Sequence, residues 1–470
     1  MKKISAFCLI LCLVLCFYNL AVAANADELQ QSASVLNGSH SIEARNPLLG
    51  SGKIVDNVGS AIVYEVSSET LMYGWNCDER VAPASLVKIL TAFIYAEQGN
   101  LEDAITVKQS VLDTVSRDAI TAKLQADEVL TAKDLLYCMM VGSANDAAAV
   151  LADHLYGSQA AFVVEMNRYA QTLGCRDTNF TNAHGLHDEN QYTTARDVAR
   201  ILSAAIGNEI FRTVFEAVQY TVPETNKSDA RKLITGNYLM NQNQDNVEIY
   251  YDSRVTGGRT GEDFSGRRCI AVSAQHNGMT LISVVTGSKS VYQEGGNKVQ
   301  SFGGYKETSV LLDAAFGDFR ATQVIHPNQT VLQCPVENGS SDVVLGAKQA
   351  ITTVLPQGVT PSELDYRYTN IGTGFQAPIQ KGTHLSTLEI WYKDFCIGQT
   401  DLFALNSVPV WQVEIGSDGE LEQNAVWLSI LKIAVGCGLG FAVLAMVLRT
   451  VSAKTNKHKS QGSKRRRRRR

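Results

Sequence analysis

Apolar and polar positions alternate, cluster and recur along this chain in a definite order. Ser60-Ala61-Ile62-Val63-Tyr64-Glu65-Val66 reads as a strand, and Ser67-Ser68-Glu69-Thr70 turns it into a second strand over Leu71 to Trp75. Helical spacing then takes over. Leu86, Ile89, Leu90 and Phe93 fall on one face, as do Leu135, Leu136, Met139 and Met140. Thr194-Ala195-Arg196-Asp197 resembles a capping box ahead of Val198, Ile201 and Leu202. Strand patterns return at Cys269 to Ser273 and Leu281 to Val285, joined by Asn277-Gly278 as a hairpin turn. Strands on both sides of a helical block predict one sheet built from both ends of an α/β domain, residues 56–320. From 324 to 412 short alternating runs are broken by Pro327, Pro335, Gly346, Pro356, Pro378 and Gly382, which predicts a small β-sandwich-like domain.

The two ends carry a different pattern. Lys2 and Lys3, an apolar run from Ala6 to Tyr18 and Ala21-Val22-Ala23 have the order of a secretory signal peptide, residues 1–23, followed by a polar leader, 24–55. Near the other end, Ala425 to Leu448 is 24 residues with one charge, Lys432. At about 1.5 Å per residue it spans a hydrocarbon core of about 30 Å, with Trp427 at the outer interface. The glycine-rich Val413–Asn424 segment reads as a stalk, and residues 449–470 as a basic tail. Gly436 and Gly440 add a GxxxG pair to the span, a pattern too common in glycine-rich spans to imply pairing. Positive residues stay inside, so this topology predicts a cytoplasmic tail and an extracytoplasmic body anchored in the cell membrane.

Composition sharpens that picture. With 45% hydrophobic and 19% charged residues the chain is globular rather than disordered. The net charge of −5 conceals an asymmetry: 11 Lys+Arg and no acid follow Leu448, two lysines stand in the first three residues, and 29 basic residues face 47 acidic ones between. A basic tail behind an acidic body argues for two compartments and against nucleic-acid binding. Of ten cysteines, six fall in the predicted extracytoplasmic body: Cys77, Cys138, Cys175, Cys269, Cys334 and Cys396. No C-x-x-C or H-E-x-x-H occurs, so no metal or redox centre is expected. Cys334 and Cys396 are open either to pairing or to remaining thiols.

Three short motifs carry candidate chemistry. Ser85-Leu86-Val87-Lys88 is S-x-x-K at a predicted helix start after Pro83; the spacing sets hydroxyl and amine on one helix face. A serine is a weak nucleophile until a base takes its proton, and a lysine serves once burial or nearby cations lower its pKa. The helix N-terminus also offers N–H groups to an oxyanion. Ser143-Ala144-Asn145 is S-x-N: a hydroxyl for proton relay and an amide to orient substrate. Arg259-Thr260-Gly261, just before the strand near Cys269, offers a cation and a hydroxyl beside an unhindered glycine, suited to a carboxylate held along an edge strand. Each motif alone is as readily a capped helix, a polar loop or a strand edge.

Together they resemble the S-x-x-K, S-x-N, K-T-G set of penicillin-recognising serine enzymes. Pro83 to Ala92, Gly142 to Ala148, Phe180 to Leu186 (an Asn-x-His-Gly-Leu loop) and Ala271 to Ala274 are similar to segments of low-molecular-mass penicillin-binding proteins, the D-alanyl-D-alanine carboxypeptidases of serine peptidase family S11. Residues 325–410, with Ala377-Pro378-Ile379-x-Lys381-Gly382, resemble the same family's C-terminal β domain. The resemblance implies that Ser85 attacks the bond between two terminal D-alanines with Lys88 as base. It further implies that Ser143 protonates the leaving amine, Asn145 orients the stem peptide, and Arg259, Thr260 and Gly261 frame the terminal carboxylate. The backbone N–H groups of Ser85 and Glu262 would form the oxyanion hole. It implies no cofactor, peptidoglycan stem peptides as substrate, and β-lactams as covalent inhibitors. His184 and His187 are expected to shape the rim of the site.

The chain departs from the family pattern in places. Arg259 replaces the usual lysine, Glu262 is an odd neighbour for an anionic terminus, and Ser265-Gly266-Arg267-Arg268 stand where an aromatic is usual. The anchor reads as a true span rather than an amphipathic helix. A D,D-endopeptidase and a catalytically decayed wall-binding or sensor protein are the alternatives; a class A β-lactamase is disfavoured because its Glu-x-x-Leu-Asn motif is absent.

Overall fold

The computed structural model describes residues 48–49, 52–242, 248–292, 299–369, 371 and 374–411. The signal-peptide, stalk, membrane-span and tail assignments lie outside these residues. Among the described residues no helix is long and apolar enough to cross a membrane.

Strands β1 (Ser60–Glu65) and β2 (Thr70–Trp75) form a hairpin at the start of the domain. Strands β3 (Val255–Glu262), β4 (Arg267–His276) and β5 (Met279–Lys289) come some 180 residues later and complete one antiparallel sheet in the order β2-β1-β5-β4-β3. The join is the β1–β5 ladder, from Ser60 opposite Thr286 to Glu65 opposite Leu281. Asn277 and Gly278 turn β4 into β5 with φ of 50° and 76°, the left-handed pair a two-residue hairpin needs. Strands from both sides of the helical block therefore do build one sheet. Arg259-Thr260-Gly261 lies within the edge strand β3 itself, one strand ahead of the one that contains Cys269.

Period-two alternation sends β1 side chains to two different cores. Ile62 and Tyr64 pack with helices α1 (Val87–Gln98), α2 (Ala132–Met140), α3 (Asn145–Tyr156) and α4 (Ala195–Ala205). Ala61 and Val63 face the other way, toward Leu311, Leu312, Ala315 and Phe316 of α5 (Tyr305–Asp318). Burial on both faces explains why β1, β4 and β5 read as nearly unbroken apolar runs. The start of α4 follows its sequence signal, with Thr194 accepting the N–H of Asp197, and the structure shows Thr131 capping α2 in the same way through the N–H of Asp134. Helix α1 differs from the amphipathic expectation. Val87 through Ala96 are all buried, Lys88 included, so α1 is the central helix of the domain. Part of the predicted leader is ordered too, with Leu48 and Leu49 donating to the carbonyls of Leu71 and Met72 on β2.

The β module starts at Phe319, directly after α5, with Phe319–Ile325 antiparallel to Ile351–Pro356. A five-stranded sheet follows in the spatial order Leu332–Cys334, Val343–Gly346, Phe395–Ala404, His384–Tyr392, Asp365–Tyr368. No disulfide joins Cys334 and Cys396. Their strands are separated by Val343–Gly346, and two strand spacings of about 4.8 Å exceed the roughly 7 Å that a disulfide tolerates between Cα atoms. The chain separates into two compact units, and this sheet belongs almost wholly to the larger one. Among the described residues the smaller contains Pro335–Val343, Phe375–Gln380 and Ser407–Trp411. Within it Val336–Glu337 runs parallel to Phe375–Gln376, and Ile379 bridges to Val408.

Candidate active site

Three segments far apart in sequence meet at the first turn of α1. Ser85 lies in a 3₁₀ turn, Ala84–Leu86, which runs directly into α1 and so keeps Lys88 on the same side. Lys88 Nζ is fully buried, 3.0 Å from Ser85 Oγ, 2.8 Å from Asn145 Oδ1 and 2.5 Å from the carbonyl oxygen of His184. Burial first, and then the positive charge of Arg259, hold its pKa well below that of an ordinary lysine. A neutral amine has two N–H donors and one lone pair. Asn145 and His184 take the donors, which leaves the lone pair facing Ser85 Oγ, the geometry of a general base.

Asn145 is itself held in place. Its backbone N–H and its Nδ2 both donate to the carbonyl of Ile120 at 2.9 Å, so the amide oxygen must turn toward Lys88. Asp146 fixes the same stretch, accepting from the N–H groups of Ala122 and Leu124 at 2.9 and 3.1 Å. Ser143 sits in the left-handed region with φ of 61° and Ala84, beside the nucleophile, with φ of 46°. Such conformations cost on the order of 1–3 kcal/mol each and concentrate at functional sites.

The third wall is β3. Arg259 is buried; its guanidinium donates to Ser143 Oγ, to the carbonyl of Met140 at 2.9 Å and to that of Ser85 at 3.4 Å. Burial lowers its pKa to about 10, so it remains a cation at neutral pH. Thr260 follows, half-buried, and then Gly261, where a Cβ would stand 2.6 Å from the Ser85 nitrogen. Only glycine lets the strand pass so close, and the next residue, Glu262, carries the second expected oxyanion donor. Every predicted site residue is thus gathered at one point: Ser85, Lys88, Ser143, Asn145, Arg259, Thr260, Gly261 and Glu262.

The Asn-x-His-Gly-Leu loop of the family resemblance forms the fourth wall, though its role is not the rim expected of His184. The loop Asn182–Leu186 serves the site through its main chain: His184 gives Lys88 its carbonyl, and Ala183 takes the Thr91 hydroxyl at 2.7 Å. Asn182 braces the loop by accepting from Gly185 N at 2.7 Å. The His184 ring is buried and its pKa is lowered to about 4 by burial and by Lys88, so it is neutral and accepts from Leu186 N. His187, by contrast, stands at the rim and stacks on Phe264, with centroids 4.2 Å apart. An aromatic is therefore present after the third motif, one residue before the Ser265-Gly266-Arg267-Arg268 stretch.

With this geometry in view, comparison with known proteins is specific. Residues 54–290 match the family model described as D-alanyl-D-alanine carboxypeptidase, peptidase S11, and residues 319–410 that of the penicillin-binding protein 5 C-terminal domain. The chain is 29% identical over 356 residues to D-alanyl-D-alanine carboxypeptidase DacC of Escherichia coli, covering 74% of this chain and 83% of that protein. It is 31% identical over 246 residues to the D-alanyl-D-alanine carboxypeptidase of a Streptomyces species, covering 50% of this chain and 82% of that one. Among solved structures, penicillin-binding protein 5 of Haemophilus influenzae aligns with a TM-score of 0.63 at 27% identity, over 77% of this chain and all of that one.

Two outcomes test the geometry. A Cβ on Gly185 would lie 1.9 Å from the Ala84 carbonyl oxygen, and Gly185 has φ of 86°. Gly185→Ala should abolish covalent labelling of Ser85 by a fluorescent penicillin, while circular dichroism shows the helices retained. Arg259→Gln removes the cation that depresses Lys88. The Lys88 pKa then rises, and because the neutral amine is the active form, the acid limb of kcat/KM should move to higher pH. A one-unit move costs about tenfold at pH values below the limb; Arg259→Lys should leave the limb in place.

Proposed function

The chain belongs to the D-alanyl-D-alanine carboxypeptidase family of serine peptidases, and from that premise we propose that Ser85, Lys88 and Ser143 carry its reaction, removal of the terminal D-alanine from peptidoglycan stem peptides. The observation that bears most weight is the Lys88 amine, buried and directed at Ser85 Oγ. Ser85 attacks the carbonyl between the two D-alanines as its proton passes to Lys88. The tetrahedral oxyanion is met by the N–H groups of Ser85 and Glu262. Collapse expels D-alanine, whose amine takes a proton through Ser143, and water then cleaves the acyl-enzyme.

Arg259 plays a different part from a lysine at that position. Three of its five N–H donors hold Ser143 and two carbonyls, which fixes it as a charge behind the Ser143 hydroxyl. The D-alanine carboxylate lies against the Thr260 and Ser143 hydroxyls within that field. Asn145 presents its remaining N–H to the stem peptide. β-Lactams, which imitate the terminal dipeptide, acylate the same serine.

Incubating the detergent-solubilised full chain with a pentapeptide ending in D-Ala-D-Ala should release D-alanine with time, and Ser85→Ala should reduce release to background. Release by Ser85→Ala at the parent rate sinks the assignment. We further propose that residues 425–448 anchor the enzyme with its catalytic domain outside the cytoplasm, on the strength of the apolar run and its basic flank. Deleting residues 425–470 should shift the protein from the membrane fraction to the medium or periplasm; retention in the membrane argues against the anchor.

A further inference from the structure

The groove along β3 has two chemically distinct ends. At one, Arg259 and Ser143 supply the cation and hydroxyl that suit the carboxylate of the departing D-alanine. The acyl half of the substrate must then run the other way, past Gly261 and Glu262. At that end a cavity of about 210 Å³ opens beside the nucleophile, with Ala84 and Gly185 in its lining. The loop after Gly185 forms one wall and contributes His187 and Asp188; the end of β3 and the turn that follows form the other and contribute Glu262 and Phe264. Phe264 is 68% exposed despite its size, and its ring lies on that of His187. Together the two rings offer an apolar edge along which an extended methylene chain can lie.

The acids of this cavity are not equivalent. Asp263 is turned inward to its own loop and paired there, accepting from Ser265 N, Arg267 N and Arg267 Nε. Glu262 shares one carboxylate oxygen with Arg268 at 3.1 Å and is half exposed. Asp188 accepts from the N–H of Asn190 at 2.8 Å and has no cationic partner among the described residues. Acceptor capacity for a cation thus remains on both walls.

Building on the carboxypeptidase function proposed above, we propose that this cavity is the subsite for a stem-peptide residue with a free side-chain amine, its methylenes on the His187–Phe264 pair and its ammonium between Asp188 and Glu262. The subsite also accounts for the acidic residue after the third motif. The Glu262 carboxylate serves the acyl half, while its N–H serves the oxyanion.

Two pentapeptides test this with the full chain: one with L-lysine in the third position, the other with L-norleucine, which keeps the four side-chain carbons and lacks the ammonium. The lysine peptide should be cleaved with kcat/KM roughly tenfold higher, the scale of one charge-assisted contact. Asp188→Asn should bring that ratio toward one, and Phe264→Ala should lower kcat/KM for both peptides alike. Equal kcat/KM for the two peptides overturns the subsite alone, as does an undiminished ratio in Asp188→Asn. Absence of D-alanine release from either peptide overturns the carboxypeptidase reading and the subsite with it.

Discussion

An ammonium group in water is comfortable, and the Lys88 amine is denied that water. Its desolvation is the constraint on which the rest of the catalytic domain turns. Burying α1 on all sides removes solvent, and Arg259 adds a second cation nearby, so protonation is disfavoured twice. A buried amine also needs partners for its hydrogens, and Asn145 and the His184 carbonyl provide them. Those partners come from α3 and from the Asn182–Leu186 loop. The need to make Lys88 basic at neutral pH therefore dictates where both must stand.

The Arg259 substitution changes how charge is managed around that amine. A lysine at this place could exchange protons with its neighbours; a guanidinium that stays cationic at neutral pH does not. Proton traffic is then confined to Lys88 and Ser143, with Arg259 as a static field. Its planar fork can hold Ser143 and the Met140 carbonyl at once, which couples the hydroxyl to the end of α2. The left-handed backbone at Ser143 and Ala84 fits this view, since strained residues persist where several contacts fix them.

Much of this was legible in the residues. The i, i+3 spacing of Ser85 and Lys88, the serine-asparagine pair after an apolar helix, and Arg259-Thr260-Gly261 carry the family resemblance together, and these same residues meet in the site. The two-ended sheet follows from where apolar runs and the Asn277-Gly278 turn occur. What stayed hidden works through the main chain. The carbonyls of His184 and Ile120 have no side-chain signature, and a glycine such as Gly185 looks alike whether it relieves a turn or lets a carbonyl pass. Periodicity also misjudged α1, because a helix buried on every side has no polar face to betray its setting. The two cysteines of the β module illustrate a related limit, since strand order within a sheet decides their separation and sequence distance does not.

The pairing of β1 with β5 has a consequence in time. Residues 60–65 pair at once with the neighbouring strand β2, but find their second sheet partner only at Leu281–Thr286. A growing polypeptide displays the Ser85–Lys88 pair early, yet lacks β3, and with it Arg259 and Gly261, until late in synthesis. Throughout elongation the serine therefore has no complete pocket, and the nascent enzyme stays chemically silent until nearly two thirds of its length has been made.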